Sequence, residues 1–222
     1  MFITFEGIDG CGKTTQAALL AKYLSGLYGE GSVVLAREPG GTSFNELVRE
    51  IILGLCDYTL DKITELLLFA AMRRESFVKV VSPGLLADKV VISDRFIDST
   101  VAYQGYGLGV DFELISTLNS LVAGVMPDIT FVMDVSTECA LARTGLSGCE
   151  NRSVEFYDRV RAGFRAIAES DPRRCHMIDC TDSSAEDVYS IHDKIVALFH
   201  RVADGKHKSG QWPMVGYKAF GH

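Results

Sequence analysis

The stretch Gly7-Ile8-Asp9-Gly10-Cys11-Gly12-Lys13-Thr14 fits G-x-x-x-x-G-K-[ST], and its residue types are those of a phosphate cradle. Glycines let consecutive backbone N–H groups turn inward on an anion, and the helix N-terminus that follows adds positive potential. Lys13 offers a point charge for terminal phosphates, and the Thr14 hydroxyl is a hard oxygen suited to Mg2+. The bland alternative is a glycine-rich turn that binds nothing. The flanks argue against it. Phe2-Ile3-Thr4-Phe5 is a short run of strand formers, and Ala17, Leu20, Ala21 and Leu24 then recur at helical spacing. Strand, glycine loop and helix are the setting this chemistry requires.

Further groups fall where a ligand would lie in an open α/β sheet, beyond the carboxyl ends of strands. Arg37-Glu38-Pro39-Gly40-Gly41-Thr42 follows a second apolar run, and its Arg beside a turn suits a second anion, although a structural turn with a solvated Arg fits the same residues. Val90-Val91-Ile92-Ser93-Asp94 ends a buried run on a carboxylate, as a strand beside Mg2+ does, with Arg95 immediately after. Asp98-Ser99-Thr100-Val101-Ala102-Tyr103-Gln104-Gly105 crowds hydroxyls, a phenol and an amide together, which suits a sugar and base pocket or a capped, solvent-facing helix. Phe69 and Arg73 stand four apart and share a helix face, where a ring and a guanidinium would suit a planar base carrying carbonyl oxygens. Spacing alone favours the plainer reading, Phe69 in the core and Arg73 on the surface.

The elements that must position these groups alternate. Apolar runs at 2–5, 33–36, 90–93, 129–133 and 176–178 lack polar alternation, as strands buried on both faces do, and helical patterns separate them. The class is therefore α/β: a three-layer sandwich of the phosphate-loop type, with a five-stranded parallel sheet flanked by helices. Helix 1 is predicted from Lys13 to about Leu27. A long helix is predicted from Lys62 to about Val81, stopped before Pro83-Gly84. A helix from near Thr137 gives way at Gly145-Leu146-Ser147-Gly148, which reads as a lid over about 143–152 flanked by Arg143 and Arg152, or as an ordinary exposed loop. Phe156, Val160, Phe164 and Ile167 mark a buried stripe, with Arg159, Arg161 and Arg165 on solvated faces. Ser183, Ser184, Glu186 and Asp187 signal the start of a last helix with Val188, Ile191, Ile195, Leu198 and Val202 inward. Residues 1–204 read as one domain and 205–222 as a flexible tail.

With 222 residues, 47% hydrophobic and 23% charged, the chain can bury a sizeable core. A net charge of −7 argues against a nucleic-acid surface, and no apolar run approaches a membrane span. No signal peptide is expected, since a strand begins at once and meets Glu6. The six cysteines form no C-x-x-C pair, so zinc is not expected and reduced thiols in a cytoplasmic protein are.

Together, Phe-Glu-Gly-Ile-Asp-Gly-Cys-Gly-Lys-Thr-Thr, Arg-Glu-Pro-Gly-Gly-Thr, Asp-Arg-Phe and Ser-Thr-Val-Ala-Tyr-Gln-Gly resemble the thymidylate kinase (dTMP kinase) family, collinearly from residue 2 to about 200. The resemblance implies transfer of the ATP γ-phosphoryl group to dTMP, with Mg2+, in a homodimer. It assigns ATP phosphates to Gly7, Ile8, Asp9, Gly10, Cys11, Gly12, Lys13, Thr14, Thr15 and Arg143, and the metal to Thr14, with the strand-end Asp94 joining it directly or through water. It assigns dTMP to Asp9, Arg37, Phe69, Arg73, Arg95, Ser99, Thr100, Tyr103 and Gln104. Arg95 and Arg37 would meet the acceptor phosphate, Phe69 would stack on thymine and Arg73 would bond its O4. Tyr103 would crowd the sugar C2′. Some members carry an arginine where this chain has Gly10; those without it use lid arginines, which makes Arg143 the expected transition-state cation beside Lys13 and Arg95. Alternatives are a kinase of the same fold acting on another nucleoside monophosphate or a deoxynucleoside, and a nucleotide-dependent switch. The switch lacks its Asn-Lys-x-Asp base-reading motif here.

Overall fold

The computed structural model describes residues 1–54, 60–144, 152–181 and 185–208. β1 (Phe2–Glu6), β2 (Val33–Arg37), β3 (Val90–Asp94), β4 (Ile129–Asp134) and β5 (Cys175–Asp179) form one parallel sheet in the order β2-β3-β1-β4-β5. Each strand lies within two residues of its apolar run. β1 and β3 are buried along their whole length, which is why their sequences do not alternate. The glycine loop thus leaves the middle strand, and the register pairs Phe5 and Arg37 with Asp94 at the carboxyl edge.

α1 (Lys13–Tyr28) follows the loop and buries Ala17, Leu20 and Leu24 against the sheet. α2 (Ser43–Gly54) packs on α3 (Lys62–Ser76), and so does α6 (Phe112–Val122). α8 (Val154–Ser170) buries Phe156, Val160, Phe164 and Ile167 as expected, and α9 (Ala185–Lys208) buries Ile191, Ile195, Phe199 and Ala203. α9 runs past the expected boundary at 204. Ser183 and Ser184, residues 145–151 of the expected lid, residues 209–222 of the expected tail, and Cys56 and Cys149 lie outside the described residues.

Two expectations fail. Pro83 does not stop the long helix. α3 passes through a π-helical turn, Phe77–Val81, into α4 (Ser82–Leu86). In that turn Ser82 N–H reaches back five residues to Phe77 O, and Pro83 falls in the first turn of α4, where its missing N–H costs little. Nor are the α8 arginines simply solvated. Arg161 and Arg165 converge on Asp134 at the end of β4, at 2.7 and 2.6 Å, and Arg159 donates to Gly107 O at 3.0 Å.

Gly84 is where α4 touches the sheet. A Cβ there would lie 2.8 Å from Val91 Cγ2 and 3.3 Å from Val34 Cγ2, both on stiff β-branched side chains. Gly84→Ala is expected to destabilise the fold by about 1–3 kcal/mol despite alanine's better helix propensity. A urea midpoint at or above the parent's would refute that close fit.

Candidate active site

The site lies at the carboxyl edge of β1 and β3. Glycine is required twice in the loop. Gly7 (φ 137) and Gly10 (φ 81) occupy left-handed backbone, and a Cβ would fall 2.4 Å from Met133 O at Gly7 and 2.3 Å from Ala140 O at Gly10. α7 (Thr137–Thr144) therefore occupies the space that a side chain at position 10 would need. An arginine there is excluded in this chain by packing. Lys13 Nζ folds onto the loop itself, donating to Gly7 O at 3.0 Å and Ile8 O at 2.8 Å and lying 3.5 Å from Cys11 Sγ. Thr14 Oγ1 donates to Asp94 Oδ2 at 2.5 Å, joining the loop to β3. Thr15 is exposed in the first turn of α1.

Arg95 is the hub. It follows β3 with φ 74, an uncommon value for a non-glycine residue and one found at functional sites. Nη2 donates to Asp9 Oδ1 at 2.6 Å and to Tyr103 OH at 3.1 Å; Nη1 donates to Gly7 O and Ser99 Oγ, each at 3.0 Å. The guanidinium also stands 5.0 Å over the Tyr103 ring. Burial pushes the Asp9 carboxyl up, but Arg95 and Lys13 outweigh it and hold Asp9 well below the usual carboxylate range. Desolvation opposes the Arg95 charge, and Tyr103, Asp9, Asp94 and Glu6 more than restore it. Asp9 and Arg95 thus form one unit with Tyr103.

A second cluster lies behind it. Arg73 is 3% exposed, which overturns its reading as a surface charge. Its Nε donates to buried Glu38 Oε2 at 2.7 Å and its Nη1 to Thr100 Oγ1. Burial raises the Glu38 pKa, and Arg73 opposes that rise. Phe69 is half-buried one turn earlier on α3, so the expected core position is only partly right. Gln104 Nε2 donates to Glu65 Oε1 at 2.9 Å, and Arg152 Nη2 donates to Glu65 Oε2 at 2.6 Å. A π-helical stretch, Val101–Gly107, continues from the short α5 (Ile97–Thr100), and its wide turn carries Tyr103 and Gln104.

Two expected cations stand elsewhere. Arg37 pairs with Glu46 at 2.7 Å and is half-exposed on the turn after β2. Arg143 donates to Gly10 O at 3.3 Å and Cys180 O at 3.0 Å, so it lies against the glycine loop from the α7 side. Arg152 is committed to Glu65, so of these two arginines Arg143 is the one beside the glycine loop.

Sequence reasoning missed Glu6, Glu38 and Glu65 as site-bearing groups, although each is buried. Glu6 did leave a signal: an acid closing an otherwise apolar strand directly before the loop. Burial and the Asp98 charge push Glu6 up to about 8, against Ser99, Arg95 and the Phe96 N–H. Asn45 was also missed. Its fully buried Nδ2 donates to Gly40 O, Met72 O and Ser76 Oγ, tying the Pro-Gly-Gly turn to α3.

A sequence model of the thymidylate kinase family matches residues 5–191. A protein named thymidylate kinase from Anaplasma marginale (strain St. Maries) is 73% identical over 208 residues, covering 94% of this chain and 99% of that one. Another of that name from Ehrlichia chaffeensis is 53% identical, over 91% of this chain and 100% of that one. The crystal structure of thymidylate kinase from Ehrlichia chaffeensis superposes with a TM-score of 0.76 at 50% identity, covering 90% of this chain and 98% of that one.

Proposed function

Since the chain belongs to the thymidylate kinase family, we propose that its residues divide one reaction, ATP + dTMP to ADP + dTDP, between the glycine loop and the Arg95 cluster. The activity is that of a dTMP kinase. The division of labour is our reading, and one observation carries it. The Arg95 guanidinium is held at the loop mouth between Asp9 and Tyr103, next to Lys13 and Gly7. An acceptor phosphate and a donor γ-phosphate repel each other, and a fixed cation on each side relieves that repulsion.

Gly7 through Thr15 bind ATP phosphates, with Lys13 leaving the carbonyls of Gly7 and Ile8 for the anion. Arg95 meets the dTMP 5′-phosphate, whose oxygen attacks the γ-phosphorus as ADP departs. Asp9 accepts from the sugar 3′-hydroxyl or its bound water. Arg37 adds charge on the acceptor side once released from Glu46. Phe69 stacks on thymine, Arg73 donates to its O4, and Thr100, Ser99 and Gln104 line the remaining edge. Arg143 is the transition-state cation, arriving from the end of α7 beside Gly10. Thr14 Oγ1 and Asp94 Oδ2 are paired hard oxygens of the kind Mg2+ takes, directly or through water. Bound there, Mg2+ would neutralise charge on the ATP phosphates.

The chain through the end of α9 acts as one kinase unit in a homodimer. α2 exposes Phe44, Leu47 and Ile51 at helical spacing, and α3 exposes Leu67, a face that a second copy would cover. Among the described residues no helix is long and apolar enough to cross a membrane. Free thiols at Cys11, Cys139, Cys175 and Cys180 fit a reducing, cytoplasmic setting.

The test is ADP release with ATP and Mg2+ against dTMP, dUMP, dCMP, UMP, GMP, AMP and thymidine. dTMP is expected to lead, and preference for another acceptor would overturn the base-pocket assignment. Tyr103 supplies a sharper check. Tyr103→Phe keeps the ring and is expected to retain most selectivity, while Tyr103→Ala is expected to shift the dTMP to ribothymidine monophosphate ratio of kcat/KM by about tenfold or more. An alanine variant that still rejects the ribonucleotide places the sugar gate on another residue.

A further inference from the structure

This inference rests on the reading of Arg95 as the acceptor-phosphate cation, and it concerns a residue that reading leaves unused. Glu6 closes β1 with no exposed surface. Its Oε1 accepts from Phe96 N–H at 2.7 Å, and its Oε2 accepts from Ser99 Oγ at 2.5 Å. Ser99 Oγ in turn accepts from Arg95 Nη1 at 3.0 Å. The backbone before it is held as well, because Arg95 N–H donates to Phe5 O at 2.9 Å. The last two residues of β1 therefore hold successive amides, 95 and 96, on either side of the left-handed turn at Arg95.

Packing alone does not explain an acid here. A buried carboxyl costs several kcal/mol unless its oxygens are bonded, and a leucine would fill the volume without that cost. Both oxygens are instead directed at the segment that carries the guanidinium. Whichever of Glu6 and Ser99 holds the shared proton, Ser99 Oγ keeps a lone pair for Arg95. We propose that Glu6 is a positioning residue for phosphoryl transfer, fixing the Arg95 guanidinium at the loop mouth through Phe96 N–H and the Ser99 hydroxyl.

A Glu6→Met chain keeps the volume and loses both bonds. Glu6→Gln keeps both, since its amide oxygen can accept from Phe96 N–H and its amide nitrogen can donate to Ser99 Oγ. Steady-state kinetics with dTMP and equilibrium binding of ATP separate the two sides of the site. Glu6→Met is expected to lower kcat/KM for dTMP by about 10–100-fold while ATP affinity stays within about twofold, and Glu6→Gln to recover to within about threefold of the parent. Equal loss on the ATP and dTMP sides, an unchanged dTMP constant, or a glutamine variant as poor as the methionine one would each overturn the brace. Should the methionine chain fail to fold, Glu6→Asp withdraws the oxygens by one methylene and carries the same test, with parental dTMP kinetics as the refuting result. The parent chain distinguishes the two levels of the reading. Failure of the parent to phosphorylate dTMP removes the acceptor assignment and the brace with it, whereas an active parent with indifferent Glu6 variants removes the brace alone.

Discussion

Replacing Arg95 by alanine is expected to lower kcat/KM for dTMP by about 10³–10⁵-fold, in the range of other arginines that stabilise phosphoryl transfer, and to leave ATP affinity nearly unchanged. The guanidinium bonds Asp9, Gly7 O, Ser99 and Tyr103, and it holds the acidic end of the glycine loop. Lys13 and Thr14, on the side of the loop that would take ATP, have holding contacts of their own, Lys13 Nζ to Gly7 O and Ile8 O and Thr14 Oγ1 to Asp94. Three variants separate chemistry from folding. Alanine leaves a non-glycine residue at φ 74, a conformation that costs about 1–2 kcal/mol for an L-residue. Glycine removes that strain. Arg95→Gly is therefore expected to be at least as stable as Arg95→Ala and equally inactive. Arg95→Lys keeps the charge but cannot fork between Asp9 and Ser99, so it should retain only a small part of the activity. Near-parental turnover in the glycine variant would remove Arg95 from the acceptor side.

The sheet was legible because its three inner strands obey one rule, while the edge strands β2 and β5, which leave Leu35 and Met177 exposed, still carry apolar runs without polar alternation. Residues such as Val90, Val91 and Ile92 are buried on both faces, so no alternation is left to confuse with a helix. The glycine loop was legible for a local reason, since each residue of the motif acts on its neighbours through backbone turns. Pairings across the sheet were not. Nothing near Glu6 in the chain announces Phe96 or Ser99, and these meet only because β1 and β3 are adjacent and parallel. Arg73 shows the same limit more sharply. Helical spacing placed it beside Phe69 and suggested a surface charge, whereas the buried partner that permits its burial, Glu38, sits 35 residues away on the turn after β2. Pro83 was misjudged for a different reason. A helix that widens to a π-turn before the proline has already altered its bonding pattern, and that turn leaves no mark in residue type.

Arg73 and Glu38 are 3% and 5% exposed, so solvent does little to screen them, and removing one partner strands the other's charge. Arg73→Met is expected to destabilise the fold by about 3–5 kcal/mol, because the thioether fills volume without compensating the carboxylate. The pH dependence follows from the direction of the Glu38 shift. Burial raises its folded pKa, so its contribution is fully present below the unfolded value and is lost as pH rises through the folded one. Arg73 opposes that rise; without it the folded pKa climbs further, and the stability gap between parent and variant should widen from pH 5 to pH 8. Adding Glu38→Gln removes the stranded charge, so the double variant should recover most of the lost stability and lose the widening with pH. It should not recover base recognition. The donor assigned to thymine O4 is absent from both variants, and each should show about a 10–100-fold poorer kcat/KM for dTMP. Urea midpoints at the two pH values together with dTMP kinetics separate the roles. If stability and dTMP kinetics both return in the double variant, Arg73 serves only to neutralise Glu38; if stability returns alone, the guanidinium has a second task at the base.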